Sequence, residues 1–154
     1  MTDEQKLPRG IRNNNPGNLR SGYAMPVGVP KEDGFAHFAT MDDGLYSLAM
    51  LVHHYYSISG LKTVSAFIQR YAPSSENDVM MYEKAVAARI RFNSADIGTK
   101  DLRLMDGWRA FDFIRAIISV ENGNPPASLP SFPEWIRPSE LLSAMIRTRQ
   151  WGAL

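Results

Sequence analysis

The stretch FDFIRAIISVENGNPP (Phe111 to Pro126) runs apolar at helical spacing and then ends on a carboxylate, Glu121, directly before an Asn-Gly turn signal. Ile114, Ile117 and Ile118 precede Glu121 by seven, four and three positions, so the acid shares their apolar face. A carboxyl group set against hydrocarbon has its charged form disfavoured and stays protonated nearer neutrality. The partial negative charge at a helix C-terminus pushes the same way. Such a group suits general acid catalysis, for instance protonation of a glycosidic oxygen. Periodicity alone leaves a second reading open, a surface Glu at a frayed helix end with the apolar face rotated away.

A second constellation is RGIRNNNPGNLR, in which Asn13, Asn14, Asn15 and Asn18 place four side-chain amides within six residues. Amides offer donors and acceptors that match the hydroxyl and N-acetyl groups of sugars. Asn122, in the loop ENGNPP after Glu121, adds to the set. Each Asn taken singly is also ordinary turn chemistry. A third segment, RYAPSSENDVMMY, sets Tyr71, Glu76, Asp78 and Tyr82 around a helix start. Glu76 and Asp78 are candidates for the second carboxylate of a glycosidase pair, or serve as capping and dipole residues. His37 and the pair His53-His54 lack metal-ligand spacing, so no metal site and no cofactor is expected.

Composition narrows the partners. The 154 residues carry 17 basic and 16 acidic side chains, a formal net charge of +1, with no basic stripe of the kind that phosphate backbones require. Nucleic acid is therefore disfavoured, while a neutral or mildly anionic polymer such as a glycan is not. There is no cysteine, which removes disulfides and thiolate chemistry. The start MTDEQKLPRG lacks the basic and apolar regions of a signal peptide, and no apolar run is long enough for membrane insertion. The expectation is a soluble chain synthesised in the cytoplasm without a signal peptide, and a length of 154 residues suggests a single domain over 1–154.

The elements that must position these groups are mostly helices. Residues 1 to about 34 read as turns with one short strand near Leu19 to Ala24, and Gly34 to Phe38 as its partner. Asp42 is the expected cap of a helix over about Gly44 to Ile58. Thr63 is the expected cap of VSAFIQRYA, and Ser75 to Asp78 of DVMMYEKAVAARIRF. A short helical turn is expected over Thr99 to Met105. The Trp108 to Glu121 helix, the proline-rich loop NGNPPASLPSFP and a last helix, ELLSAMIRTRQW capped by Ser139, complete a mainly α (α+β) reading with a small β-hairpin near the N-terminus.

Taken together, RGIRNNNPGNLR, GFAHFATMDDGLYSLAMLVHHYY, TVSAFIQRYAPSSENDVMMY and AIISVENGNPP resemble a group of phage and prophage proteins, labelled virion structural or endolysin-type and read as lysozyme-like, over about residues 9 to 126. A more distant similarity is to bacterial N-acetylglucosaminidases and lytic transglycosylases. Their catalytic helix ends in a Glu within an ESG-like motif, followed by an Asn-rich segment and then a Tyr segment. The resemblance implies a lysozyme-like fold. It implies an enzyme that cleaves the β-1,4 glycan strands of peptidoglycan, with Glu121 as general acid, Asn13, Asn14 and Asn15 beside the cleft, and Tyr71 and Tyr82 near the sugar. The order of motifs departs from that family, because the Glu motif comes last. A circular permutation would explain this, and it requires Glu121 to face Asn13 to Asn18.

The second carboxylate has no clear match, and Glu32, Asp33 and Glu76 all stay open. So does the choice between hydrolysis and the lytic transglycosylase route. The implied partner is the cell wall, reached in the periplasm through a holin, a virion or a secretion machine, with an antimicrobial effector as one form. A non-catalytic wall-binding or virion structural module is the alternative.

Overall fold

The computed structural model describes residues 7–20, 29–71, 76–90, 107–123 and 136–151. These form six helices and one two-stranded hairpin: α1 (Arg9–Arg12), β1 (Lys31–Glu32), β2 (Phe35–Ala36), α2 (Met41–Ser57), α3 (Val64–Tyr71), α4 (Glu76–Ala87), α5 (Gly107–Glu121) and α6 (Pro138–Thr148). The architecture is mainly helical with a small antiparallel hairpin. Helix α5 is the centre. It packs against α2, α4 and α6, while α2 lies along α6 and α3 against α4.

Helix α5 is buried on nearly every side. Ala110, Phe113, Ile114, Ala116, Ile117 and Ile118 are fully inaccessible, and so is Arg115. The apolar face read from the sequence is thus part of an almost completely enclosed cylinder. A buried guanidinium requires partners. Arg115 donates from Nε and Nη2 to Asp112 Oδ1 at 3.1 and 2.8 Å, one turn earlier, and to the carbonyl of Arg89. Arg89 in turn donates from Nε to Ser119 Oγ at 3.0 Å, which ties α5 to the end of α4. Around Phe113, an aromatic set continues outward: Phe67 meets it edge-on with centroids 5.0 Å apart, and Tyr55 and Tyr71 each lie 5.4 Å from Phe67.

Several boundaries differ from the sequence expectations, each for a local reason. Thr40, not Asp42, caps α2, because its hydroxyl accepts from Asp43 N at 3.1 Å. Asp42 and Asp43 then sit in the first turn and pair with Arg147 of α6. The cap at Thr63 is the one expected, its hydroxyl accepting from Ala66 N at 3.0 Å at the start of α3. Helix α4 starts at Glu76 and stops at Ala87 instead of running to Phe92, and the chain turns so that Arg89 Nη1 can donate to Ala85 O at 2.8 Å. Helix α6 begins with Pro138 at its first turn and Arg137 as cap, not Ser139. Thr99 to Met105, Ser75 and most of the proline-rich loop lie outside the described residues.

At the N-terminal end, β2 pairs with β1, Glu32 opposite Phe35 and Lys31 opposite Ala36. Asp33 and Gly34 both take positive φ, 50° and 82°, the pair of conformations that a type I′ hairpin turn demands. Of the strand expected near Leu19 to Ala24, Leu19 meets β2, its carbonyl accepting from Ala36 N at 2.8 Å; residues 21–28 lie outside the described residues. Residues that were expected to be plain turn also form the single helical turn α1.

The Asn-rich loop is fitted between this hairpin and α2 at close range. A β-carbon on Gly44 of α2 would lie 1.8 Å from the carbonyl oxygen of Asn14, so only glycine allows the helix to approach. Gly44→Ala should therefore destabilise the protein by about 2–4 kcal/mol, read as a fall in the urea midpoint. An unchanged midpoint would mean that the loop is not held against α2.

Candidate functional site

Three elements converge on Glu121. Helix α5 delivers the carboxyl group at its last residue, where Asn122 N closes the turn onto Ile118 O at 3.1 Å and Gly123 follows in the left-handed region. The Asn-rich loop delivers Asn18, itself left-handed at φ 49°, a conformation that Asn tolerates better than most residues. Asn18 Nδ2 donates to Glu121 Oε2 at 2.7 Å. Helix α4 delivers Tyr82, whose hydroxyl donates to Glu121 Oε1. The Asn-rich loop and the end of α5 are thus joined across 103 positions of sequence at the carboxylate.

A further residue sets the amide. Arg9 Nε donates to Asn18 Oδ1 at 3.3 Å, so the Asn18 Nδ2 group is the one turned toward Glu121. Tyr71, at the end of α3, stands edge-on to Tyr82 with centroids 6.3 Å apart, and its hydroxyl donates to the carbonyl of Gly17. Both phenols are held well above their usual pKa, first by burial and then by neighbouring phenols and Glu121, so they remain neutral donors.

Burial also raises the pKa of Glu121, against the opposing pull of the hydrogen bonds from Tyr82 and Asn18 and the charge of Arg9. The balance leaves a carboxyl group protonated at higher pH than an ordinary Glu, the property a general acid needs. The linkage follows in sign. Folding favours the protonated form, so this contribution to stability is complete below the unfolded pKa and is lost as pH rises through the raised folded value.

The remaining residues singled out from the sequence divide. Asn15 is fully buried and spends its side chain on the fold: Nδ2 donates to Leu19 O and Ala36 O, each at 2.9 Å, and Oδ1 accepts from Leu19 N at 2.9 Å. Asn14 Nδ2 donates to Phe38 O and Ala39 O at 3.2 and 3.3 Å. Asn13 is buried, with its carbonyl accepting from Phe38 N at 2.9 Å. Asn122 is buried and bridges Pro16 O and Ile118 O at 2.9 and 2.8 Å. The buried Asn13 Nδ2 has no hydrogen-bond partner among the described residues, whereas Asn14, Asn15 and Asn122, expected like it beside sugar, brace the loop against β2 and the end of α5. A backbone that folds sharply leaves carbonyls unpaired, and the amides satisfy them.

Glu76 opens α4, six residues or about 9 Å of helix rise before Tyr82. Its side chain lies outside the described residues. Glu32 and Asp33 are exposed in the hairpin, and Asp78 is exposed on α4. His53 meets Ser57 Oγ at 3.1 Å and the edge of Trp151, with no acid in that set. Among the described residues no group of three or more His, Cys, Asp or Glu could hold a metal ion, and no helix is long and apolar enough to cross a membrane. Arg9 was not anticipated from the sequence. Its only signal was a basic residue opening the same segment that ends in Asn18.

No protein-family model matches the chain. Over 131 residues the chain is 31% identical to protein P5 of Pseudoalteromonas phage PM2, an alignment that covers 81% of this chain and 78% of that protein.

The hydrogen bond from Tyr82 stabilises the charged form of Glu121, so removing it has a defined direction. In Tyr82→Phe the carboxyl-carbon titration of Glu121, followed by NMR, should move to higher pH than in the wild type. A midpoint that stays put or falls would show that the phenol does not act on the acid.

Proposed function

The chain belongs to the family of protein P5 of Pseudoalteromonas phage PM2; from the site around Glu121 we propose that it is a peptidoglycan-degrading glycosidase of lysozyme-like fold. Glu121 is the general acid that protonates the glycosidic oxygen of a β-1,4 bond. The observation that carries this reading is the placement of a half-buried carboxyl group at a helix end, raised in pKa by burial and oriented by Tyr82 and Asn18. A phage relative fits a wall-degrading role during entry or release.

The reversed motif order is read as a circular permutation. The contact between Glu121 and Asn18 supports it, since it joins the last motif of the chain to the first. In this reading Asn18 and Tyr82 have two tasks: they hold the acid before reaction, and they stabilise its conjugate base after the proton has left.

Two routes follow from one acid. With a second carboxylate across the bond, Glu76 being the candidate, water is the attacking group. With none, Glu121 returns as base and the 6-hydroxyl of the muramyl residue attacks, which yields an anhydro sugar. Among the described residues the interactions around Glu121 come from two neutral donors and the cation Arg9. On the one-acid route, and on a route through a covalent glycosyl-enzyme that water then opens, Glu121 recovers its proton in the second half of the reaction; where water attacks directly, its proton passes to the second carboxylate.

Glu121→Gln should reduce clearing of purified cell walls by about 10²–10⁴-fold, the range expected for loss of a general acid. Mass analysis of the released muropeptides then separates anhydro from reducing ends. Undiminished clearing by Glu121→Gln would end the assignment. Intact strands with the wild-type protein would favour a wall-binding or virion structural module instead.

A further inference from the structure

Beside the acid lies a pair of cations that the reaction itself does not use. Arg9 and Arg20 are both exposed, and both guanidinium groups lie over the ring of Phe35, at 3.5 and 4.1 Å from its centroid. By those distances the two charges are closer together than the Debye length of about 8 Å at physiological salt, so salt screens their repulsion only in part. Among the described residues neither has an ion-pair partner. Glu32 is the register neighbour of Phe35 across the hairpin, yet it is exposed and pairs with neither arginine.

The ring does more than tolerate the charges. A guanidinium lying flat on an aromatic face keeps its N–H edge outward, in the fork that accepts a carboxylate through two parallel hydrogen bonds. Phe35 is itself buried at the start of β2, so the platform is fixed by the core. Arg9 already spends Nε on Asn18, which places this cationic pair one side chain away from Glu121.

We propose that Arg9 and Arg20, held over Phe35, form an anion subsite that receives a carboxylate of the substrate next to the bond Glu121 cleaves. The inference rests on the reading of the substrate as peptidoglycan. In that polymer every second sugar bears a lactyl ether, which ends either in its own carboxylate or in a peptide stem with free carboxylates, whereas chitooligosaccharides of the same backbone are neutral. The subsite would select the anionic strand and fix its register over the acid. Arg9 would act as a positioning residue for Asn18 as well, so Arg20 is the cleaner position to test.

The experiment measures equilibrium binding in the Glu121→Gln background, which keeps the strands intact, with and without Arg20→Gln. The ligands are stem-bearing glycan strands, strands stripped to lactyl carboxylates by an amidase, and neutral chitooligosaccharides. The expected result is a preference for a carboxylate-bearing strand over the neutral one, reduced about fivefold to tenfold by Arg20→Gln and weakened by salt. Preference kept on stripped strands assigns the lactyl carboxylate, and preference lost there assigns the stem. Equal selectivity with and without Arg20, or no selectivity at all, overturns the subsite. Matching melting curves of the two variants guard against a folding artefact. Cleavage by the wild-type protein is scored separately. Selective binding without cleavage would leave the subsite standing and remove the glycosidase reading.

Discussion

The arrangement depends on keeping one carboxyl group at the end of a helix most of whose other residues are buried. Glu121 cannot be stranded there as a bare anion, because desolvation in such a place costs several kcal/mol without compensation. It is therefore met by two donors, the amide of Asn18 and the hydroxyl of Tyr82, and by the nearby charge of Arg9. These partners lower the cost without removing it. The residue of that balance is a raised pKa, and with it the capacity to hold a proton that an ordinary Glu would have given up.

Much of the surrounding structure holds those donors in place. Asn18 can donate only because Asn15 and Asn14 spend their amides on the carbonyls of a sharply folded loop, and because Gly44 lets α2 come up against that loop. Asn122 ties the same loop to the last turn of α5. Tyr82 reaches the acid because α4 is packed on α3 and α5, and the buried link from Arg89 to Ser119 secures the end of α4 to α5. The polar residues near the site thus fall into two layers, a small one that touches the carboxylate and a larger one that holds the first.

This explains why residue types predicted the neighbourhood better than the contacts. An Asn-rich loop and a terminal Glu are both visible in sequence, and each suggests chemistry. Which Asn would be spent on the backbone could not be read there. Asn13, Asn14, Asn15 and Asn18 are chemically alike, and the difference among them arises from which carbonyls the loop leaves unpaired once it lies against β2. The hairpin turn is the opposite case. Asp33-Gly34 is a strong local signal for a type I′ turn, and two residues suffice to set the register of β1 against β2.

Local chemistry by itself determined the helical character of the chain, the cap at Thr63, the termination of α5 on Glu121 and the absence of thiol chemistry, since each depends on neighbours a few positions apart. Tertiary structure decided the rest. It buried α5 on nearly every side where periodicity suggested one face, gave Arg115 its partners, and brought Arg9, Asn18 and Tyr82 to the same acid. The physical reason is that contacts such as those of Asn18 and Tyr82 with Glu121, 103 and 39 positions away, or of Arg115 with the Arg89 carbonyl, are set by packing, which no short window of sequence contains.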